Sequence, residues 1–238
     1  PEALVAAREA ERLARRPTGR ASIYWLDAAV EVGRCHRALG QPDSAVAILG
    51  RAARAWERWR AEISDLEWRE RAASGLSGLF AEYGLALLDP RRRAPEAVRV
   101  RQAFDALQAF QARTLEERMH GQGLSARAMT RRAGADSLRR SVLRDGELLV
   151  DLVATPDTTF AFLVTRGGVS VAMLPGAGRL DPLFRAWRDA MRGDASARTV
   201  EQGLQRLSAE LLGPIAASVR ASRSLIVSGG GPFALWPI

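Results

Sequence analysis

Three short apolar runs within residues 146–175, GELLVDLVATPDTTFAFLVTRGGVSVAMLP, constrain this chain more than any other stretch. Leu148, Val150 and Leu152 share one side of the first run. Phe160, Phe162 and Val164 share one side of the second, and Val169, Val171 and Met173 one side of the third. The alternate positions hold Asp151, Thr159, Ala161, Thr165, Ser170 and Ala172, which are smaller or more polar. A period of two with one apolar face marks a half-buried antiparallel strand. Turn chemistry separates the runs. In Thr155-Pro156-Asp157-Thr158 the proline presets φ and Asp157 offers an Asx side chain, while Arg166-Gly167-Gly168 supplies glycines free to take positive φ. The expectation is a three-stranded antiparallel meander.

Almost everything before this stretch reads as helix. Residues 2–16 have helix-forming composition and stop at Pro17-Thr18-Gly19. A second helix is expected from Ser22 to Leu39, with Gly40 ending it and Pro42-Asp43 opening a third over residues 43–60. Helices continue over 62–88 and 95–119, separated by Pro90-Arg91-Arg92-Arg93-Ala94-Pro95. Arg91–Arg93 suit the carbonyl end of a helix, where cations complement the dipole, in preference to the alternative of contact with a phosphate backbone. Phe104, Leu107, Phe110, Leu115 and Met119 form an apolar stripe at helical spacing, as core or as a seam against a neighbour. Residues 120–136 lose periodicity and gain Gly and Arg, so a linker is expected between a helical region at 1–119 and a second domain at 137–238.

Beyond the meander, Leu180–Met191 reads as a short helix with Leu183, Phe184 and Trp187 inward, and Thr199–Leu212 as a longer one that Pro214 kinks or restarts. Ser224–Val227 reads as a buried strand. Helices leading to one apolar strand suggest a mixed sheet with helical cover.

Composition removes several classes. With 47% hydrophobic and 26% charged residues, wholesale disorder is excluded. The one cysteine, Cys35, leaves no internal disulfide framework and fits a reducing cytoplasm. No apolar run approaches the ~18–20 residues of a membrane span, so no membrane partner is expected. The net charge is +8, and all 35 basic residues are arginine. They scatter along the chain, which fits the codon bias of GC-rich DNA; a nucleic-acid or acidic partner stays open beside it. The chain starts at Pro1 and stops at Leu235-Trp236-Pro237-Ile238, and an apolar ending of that kind suggests a fragment.

Chemistry-bearing motifs are sparse. One Cys and two His, His36 and His120, do not meet the spacing of a zinc site, so no metal is expected. Cys35 and His36 are adjacent and cannot face each other on a helix, which argues for Cys35 as a small buried side chain. Gly121-Gln122-Gly123 with Ala126 follows a helix rather than a strand and is no dinucleotide fingerprint. Ser228-Gly229-Gly230-Gly231 lacks the lysine of a phosphate-binding loop. It is similar to an esterase HGGG oxyanion loop with Ser in place of His, but no G-x-S-x-G elbow accompanies it. No catalytic, cofactor-binding or metal residue is therefore expected within the chain.

Two resemblances bring these observations together. The helical pair at 22–60 resembles a tetratricopeptide repeat. Val32-Gly33 stands at the Leu-Gly position, Gly40 at the inter-helix turn, Ala45 and Ala52 at the small positions and Leu49 at the large apolar one. Small residues there let two helices approach closely. Ala29 and His36 depart from the aromatic positions, and no proline closes the unit. Residues 100–238 resemble the amino-terminal half of a CHAT domain, the caspase- and separase-related domain that commonly follows such repeats. Gly146-Glu147 matches the turn that opens a strand, and Phe160–Gly168 the aromatic strand ending in Thr-Arg-x-Gly. Leu225–Val227 match the later strand, Gly229–Gly231 the turn after it and Leu235–Ile238 the ending. Ser228, Gly229 and Ile238 depart from the usual Pro, Asp and aromatic.

The resemblance implies a TPR-like helical region followed by part of an α/β caspase-like domain. CHAT enzymes are cysteine peptidases whose His and Cys lie carboxy-terminal to the region matched, and neither has a counterpart here. The implied parent is a peptidase acting on protein substrates, with the helical repeats docking protein partners and this chain catalytically incomplete. A non-enzymatic interaction scaffold is the alternative. A serine hydrolase using Ser228–Gly231 as oxyanion loop is the third reading.

Overall fold

The computed structural model describes residues 2–14, 22–62, 77–121, 134–193 and 195–229. The chain divides into two compact units, Pro1–Arg132 and Ala133–Ile238.

The first unit is helical: α1 (Glu2–Ala14), α2 (Ile23–Ala38), α3 (Pro42–Glu62), α4 (Ser77–Leu88) and α5 (Glu96–Gly121). Local sequence explains the ends of α2. Ser22 caps its start, its hydroxyl accepting from Trp25 N at 3.2 Å. At the other end Gly40 takes φ +70°. Gly40 N donates to Arg37 O at 3.0 Å and Gln41 N to His36 O at 2.8 Å, the paired bonds of a Schellman ending. Pro42 then opens α3 at a position that needs no N–H donor.

Small residues bring α2 and α3 together. A Cβ on Gly33 would sit 2.7 Å from Leu49 Cγ, and Leu49 is itself fully buried. Leu26, Ala29, Ala45, Ala52 and Trp56 are buried on the same two helices, as are Leu79 and Leu87 on α4 and Phe104 and Leu107 on α5. The expected α5 residues Phe110, Leu115 and Met119 have side chains outside the described residues.

Ion pairs tie the helix ends. Glu82 on α4 accepts from both Arg34 and Arg37 on α2. Arg92 Nη1 donates to Leu87 O at 2.9 Å in the last turn of α4, and Arg91 Nη2 to Arg37 O at 3.0 Å near the end of α2. Asp89 holds Arg91 through its Nε at 3.0 Å, its Nη2 at 2.7 Å and its backbone N at 2.9 Å. These hydrogen bonds from Arg91 hold the Asp89 carboxyl below the usual carboxylate range, against the opposing effect of burial. A depressed folded pKa contributes stability that is present above the unfolded pKa and is lost as pH falls through the folded one. Acid titration of stability should therefore show a component lost below about pH 4. Asp89→Asn should remove that component and cost about 1 kcal/mol at neutral pH, because Arg91 is half exposed. Urea melts of both proteins between neutrality and acid check it.

The second unit contains a helix that periodicity does not announce, α6 (Ala135–Ser141), inside the stretch expected to be linker and lead-in. The meander follows as β1 (Glu147–Ala154), β2 (Thr158–Val164) and β3 (Val169–Pro175). Then come α7 (Ala177–Arg192), α8 (Ala197–Leu212), a 3-10 turn (Gly213–Ile215), α9 (Ala216–Ala221) and β4 (Ser224–Gly229). Pro214 lies in the 3-10 turn between α8 and α9, where its missing donor breaks the helix. The sheet is four-stranded and mixed, in the order β3-β2-β1-β4, with β1–β2 and β2–β3 antiparallel and β1–β4 parallel.

The structure corrects three expectations. The first is the phase of the sheet. Val150 pairs with Leu163, and Leu152 with Ala161, so Ala161 and Leu163 join the face of Leu148, Val150 and Leu152. That face packs on Leu180, Phe184 and Trp187 of α7 and Leu207 and Leu211 of α8. Phe160, Phe162 and Val164 lie on the reverse face with Asp151 and Val153, and all five are buried. The inner strands are thus covered on both sides rather than half-buried.

The second is the β2–β3 turn. Neither Gly167 nor Gly168 has positive φ. Thr165 closes the turn instead, its N donating to Gly168 O at 2.9 Å and its hydroxyl accepting from Gly168 N at 3.2 Å. The third is β4, expected to be buried. Leu225 and Ile226 are each 40% exposed, because β4 ends the strand order and, among the described residues, has a neighbouring strand on one side only.

Candidate functional site

Among the described residues the sheet has two open edges, the outer edge of β3 and that of β4, and the second is the one flanked by an apolar groove. The inner edge of β4 pairs with β1 from Glu147↔Ser224 to Leu152↔Gly229. Its outer edge pairs with no strand among the described residues. The strand SLIVSG carries no charge and no proline, the devices by which exposed edges usually resist pairing. Beside it runs an apolar groove of about 150 Å³ between β4 and α8, lined by Leu152, Leu204, Leu207, Leu212, Leu225 and Val227. Leu204 and Leu212 keep 44% and 38% of their surface exposed. A strand laid against β4 would satisfy its N–H and C=O groups, and side chains on it could fill that groove.

The backbone at the carboxyl ends of β1 and β3 is tightly held. Ala177 N donates to Thr155 O at 2.8 Å and Gly178 N to Pro156 O at 2.9 Å, so the turn after β1 satisfies two of the free amides of α7. Gly176 makes this possible, since a Cβ there would lie 2.3 Å from Pro156 O. The turn is braced by Thr155 Oγ1, which donates to Thr158 O at 2.7 Å and accepts from Thr158 N at 3.1 Å. Crevices outside the carboxyl ends of parallel strands are where open α/β sheets place their ligands. β1 and β4 present such ends side by side.

The residues singled out by sequence are dispersed. Cys35 is half-buried on α2. His36, next to it, is 6% exposed and its Nδ1 lies 2.7 Å from Gln41 Oε1. His120 falls in the last turn of α5, with its side chain outside the described residues. Ser228 and Gly229 end β4, Ser228 being exposed and in register with Asp151; Gly230 and Gly231 lie outside the described residues. Among the described residues no group of three His, Cys, Asp or Glu side chains is placed to hold a metal ion, and no helix is long and apolar enough to cross a membrane.

Asp151 is the polar residue that sequence reasoning undervalues. Alternation puts it on a smaller, more polar face, yet it is 3% exposed and lies on the face of Phe162. A carboxylate in the middle of LLVDLV is the available signal. No family model, curated protein or solved structure matches the chain.

Proposed function

We propose that this chain is the amino-terminal part of a TPR-CHAT protein whose parent is a caspase- or separase-like cysteine peptidase. In this reading the first unit docks protein partners, and the second is the catalytically silent part of the peptidase fold. The observation that carries it is β4 lying parallel to β1 at an uncharged sheet edge that pairs with no further strand among the described residues. A peptidase sheet continued by further strands would use that edge, and the catalytic His and Cys would come from the segments that follow. The burial of Val32, Gly33, Ala45, Leu49 and Ala52 between α2 and α3 supports the repeat-like reading of the first unit.

The chemistry assigned to the parent is attack of a thiolate on a peptide carbonyl, with a nearby histidine taking the thiol proton. Cys35 does not fill that role. It is carried on α2 beside a histidine already engaged with Gln41. The purified 238-residue chain should accordingly show no hydrolysis of casein or of fluorogenic peptides above a no-protein blank. Turnover that Cys35→Ser abolishes would overturn the assignment of this chain as the silent part.

A further inference from the structure

The first unit carries a cleft that the peptidase reading leaves unused, and the chemistry of that cleft is independent of the reading. The cleft, about 240 Å³, opens between α1, α2 and α3. Arg8 and Glu11, one helical turn apart, line it from α1. Ser44, Ile48 and Arg51 form a single face of α3, and His36 on α2 forms the floor.

The polar groups present donors. Arg8 Nη2 lies 3.5 Å from His36 Nε2. On its other side the His36 ring places Nδ1 2.7 Å from Gln41 Oε1. Arg8 thus reaches into the cleft beside an imidazole rather than a carboxylate. Several arginines of the unit pair with acids, Arg12 with Glu9, Arg34 with Glu31 and Glu82, Arg37 with Glu82, Arg91 with Asp89, and Arg92 with Asp43, while Arg54, Arg58, Arg93 and Arg99 form no such pair among the described residues and do not line the cleft. Among the described residues Arg8 and Arg51 have no such partner. The one acid in the wall, Glu11, accepts from Trp25 Nε1 at 3.3 Å.

We propose that this cleft binds a phosphate monoester group, with Arg8 and Arg51 supplying the charge and Ser44 a hydroxyl donor. Donors from α1 and α3 approach from different directions, which suits a tetrahedral dianion with several acceptor oxygens better than a planar carboxylate. The group could sit on a phosphorylated peptide or on a small molecule, and the test separates the two.

Inorganic phosphate is titrated into the whole chain at low ionic strength, followed by calorimetry and by the His36 ring resonances. Saturable binding is expected, weakened about tenfold by Arg51→Gln and about tenfold by Arg8→Gln. Arg58→Gln, on the same helix outside the cleft, should leave it unchanged. All three side chains are exposed, so thermal melts of the variants should match the parent chain. A phosphoserine peptide binding more tightly than inorganic phosphate would mark a phosphoprotein as the ligand, and equal binding a small phosphorylated molecule. No saturable binding, binding unaffected by Arg51→Gln, or acetate competing as well as phosphate would each overturn the proposal.

Discussion

Replacing Gly176 by valine should cost the second unit about 3 kcal/mol or more, among the largest losses of any single substitution in this chain. Gly176 has φ −74°, so the reason is not backbone conformation. Its Cα hydrogens face the β1–β2 turn at a distance no side chain tolerates. A Cβ would lie 2.3 Å from Asp157 C, 2.3 Å from Pro156 O and 2.4 Å from Thr158 N. All three are backbone atoms and cannot rotate away. Relief requires the start of α7 to move off the turn, breaking the bonds from Ala177 N to Thr155 O and from Gly178 N to Pro156 O. Two amides at a helix start then lose their acceptors. Urea unfolding followed by tryptophan fluorescence measures the loss, with Trp187 on α7 as a reporter within the unit. Gly168→Ala provides the contrast: nothing lies within 4 Å of a Cβ there and its φ is not positive, so that change should be near neutral.

The second large effect is expected at Phe162. It is fully buried on the face of the sheet opposite α7 and α8, with its ring centroid 6.3 Å from that of Phe160. Truncation to alanine removes an aromatic ring from a covered surface and leaves a cavity, which typically costs about 3–5 kcal/mol. Denaturant melts again give the number. A sheet buried on one face only, with Phe162 on its solvent side, would give a loss below about 1 kcal/mol. The size of the effect therefore tests whether the face of Phe162 is covered.

That distinction shows what the chain conceals at the level of sequence. Alternation fixes which residues of one strand share a face, and the edges of β1, β2 and β3 are legible from it. It does not fix the phase between strands. Three residues, 155–157, connect β1 to β2, and the geometry of that turn sets Leu152 opposite Ala161 rather than Phe160. Burial of both faces stays hidden because each strand, read alone, looks half-buried and carries polar residues such as Asp151 and Thr159 that are in fact buried.

The helix ends are the most readable features. Ser22, Gly40 and Pro42 each act within a few residues of their own position, so local chemistry decides them. Exposure of β4 is unreadable for the opposite reason. Ser224–Val227 is apolar enough for a core strand, and only its place at the end of the order β3-β2-β1-β4 leaves it open. The cleft of the first unit is invisible too. Arg8, His36 and Arg51 are spread over three helices, and nothing in their spacing marks them as neighbours.

The most direct test of the peptidase assignment is to read the coding frame beyond the codon for Ile238. The frame is expected to stay open, carrying one strand that ends in histidine and a later one that ends in cysteine. Those strands would extend the sheet across β4. A stop codon at that point, or a continuation without the two residues, would contradict the peptidase assignment and leave the chain as an interaction module.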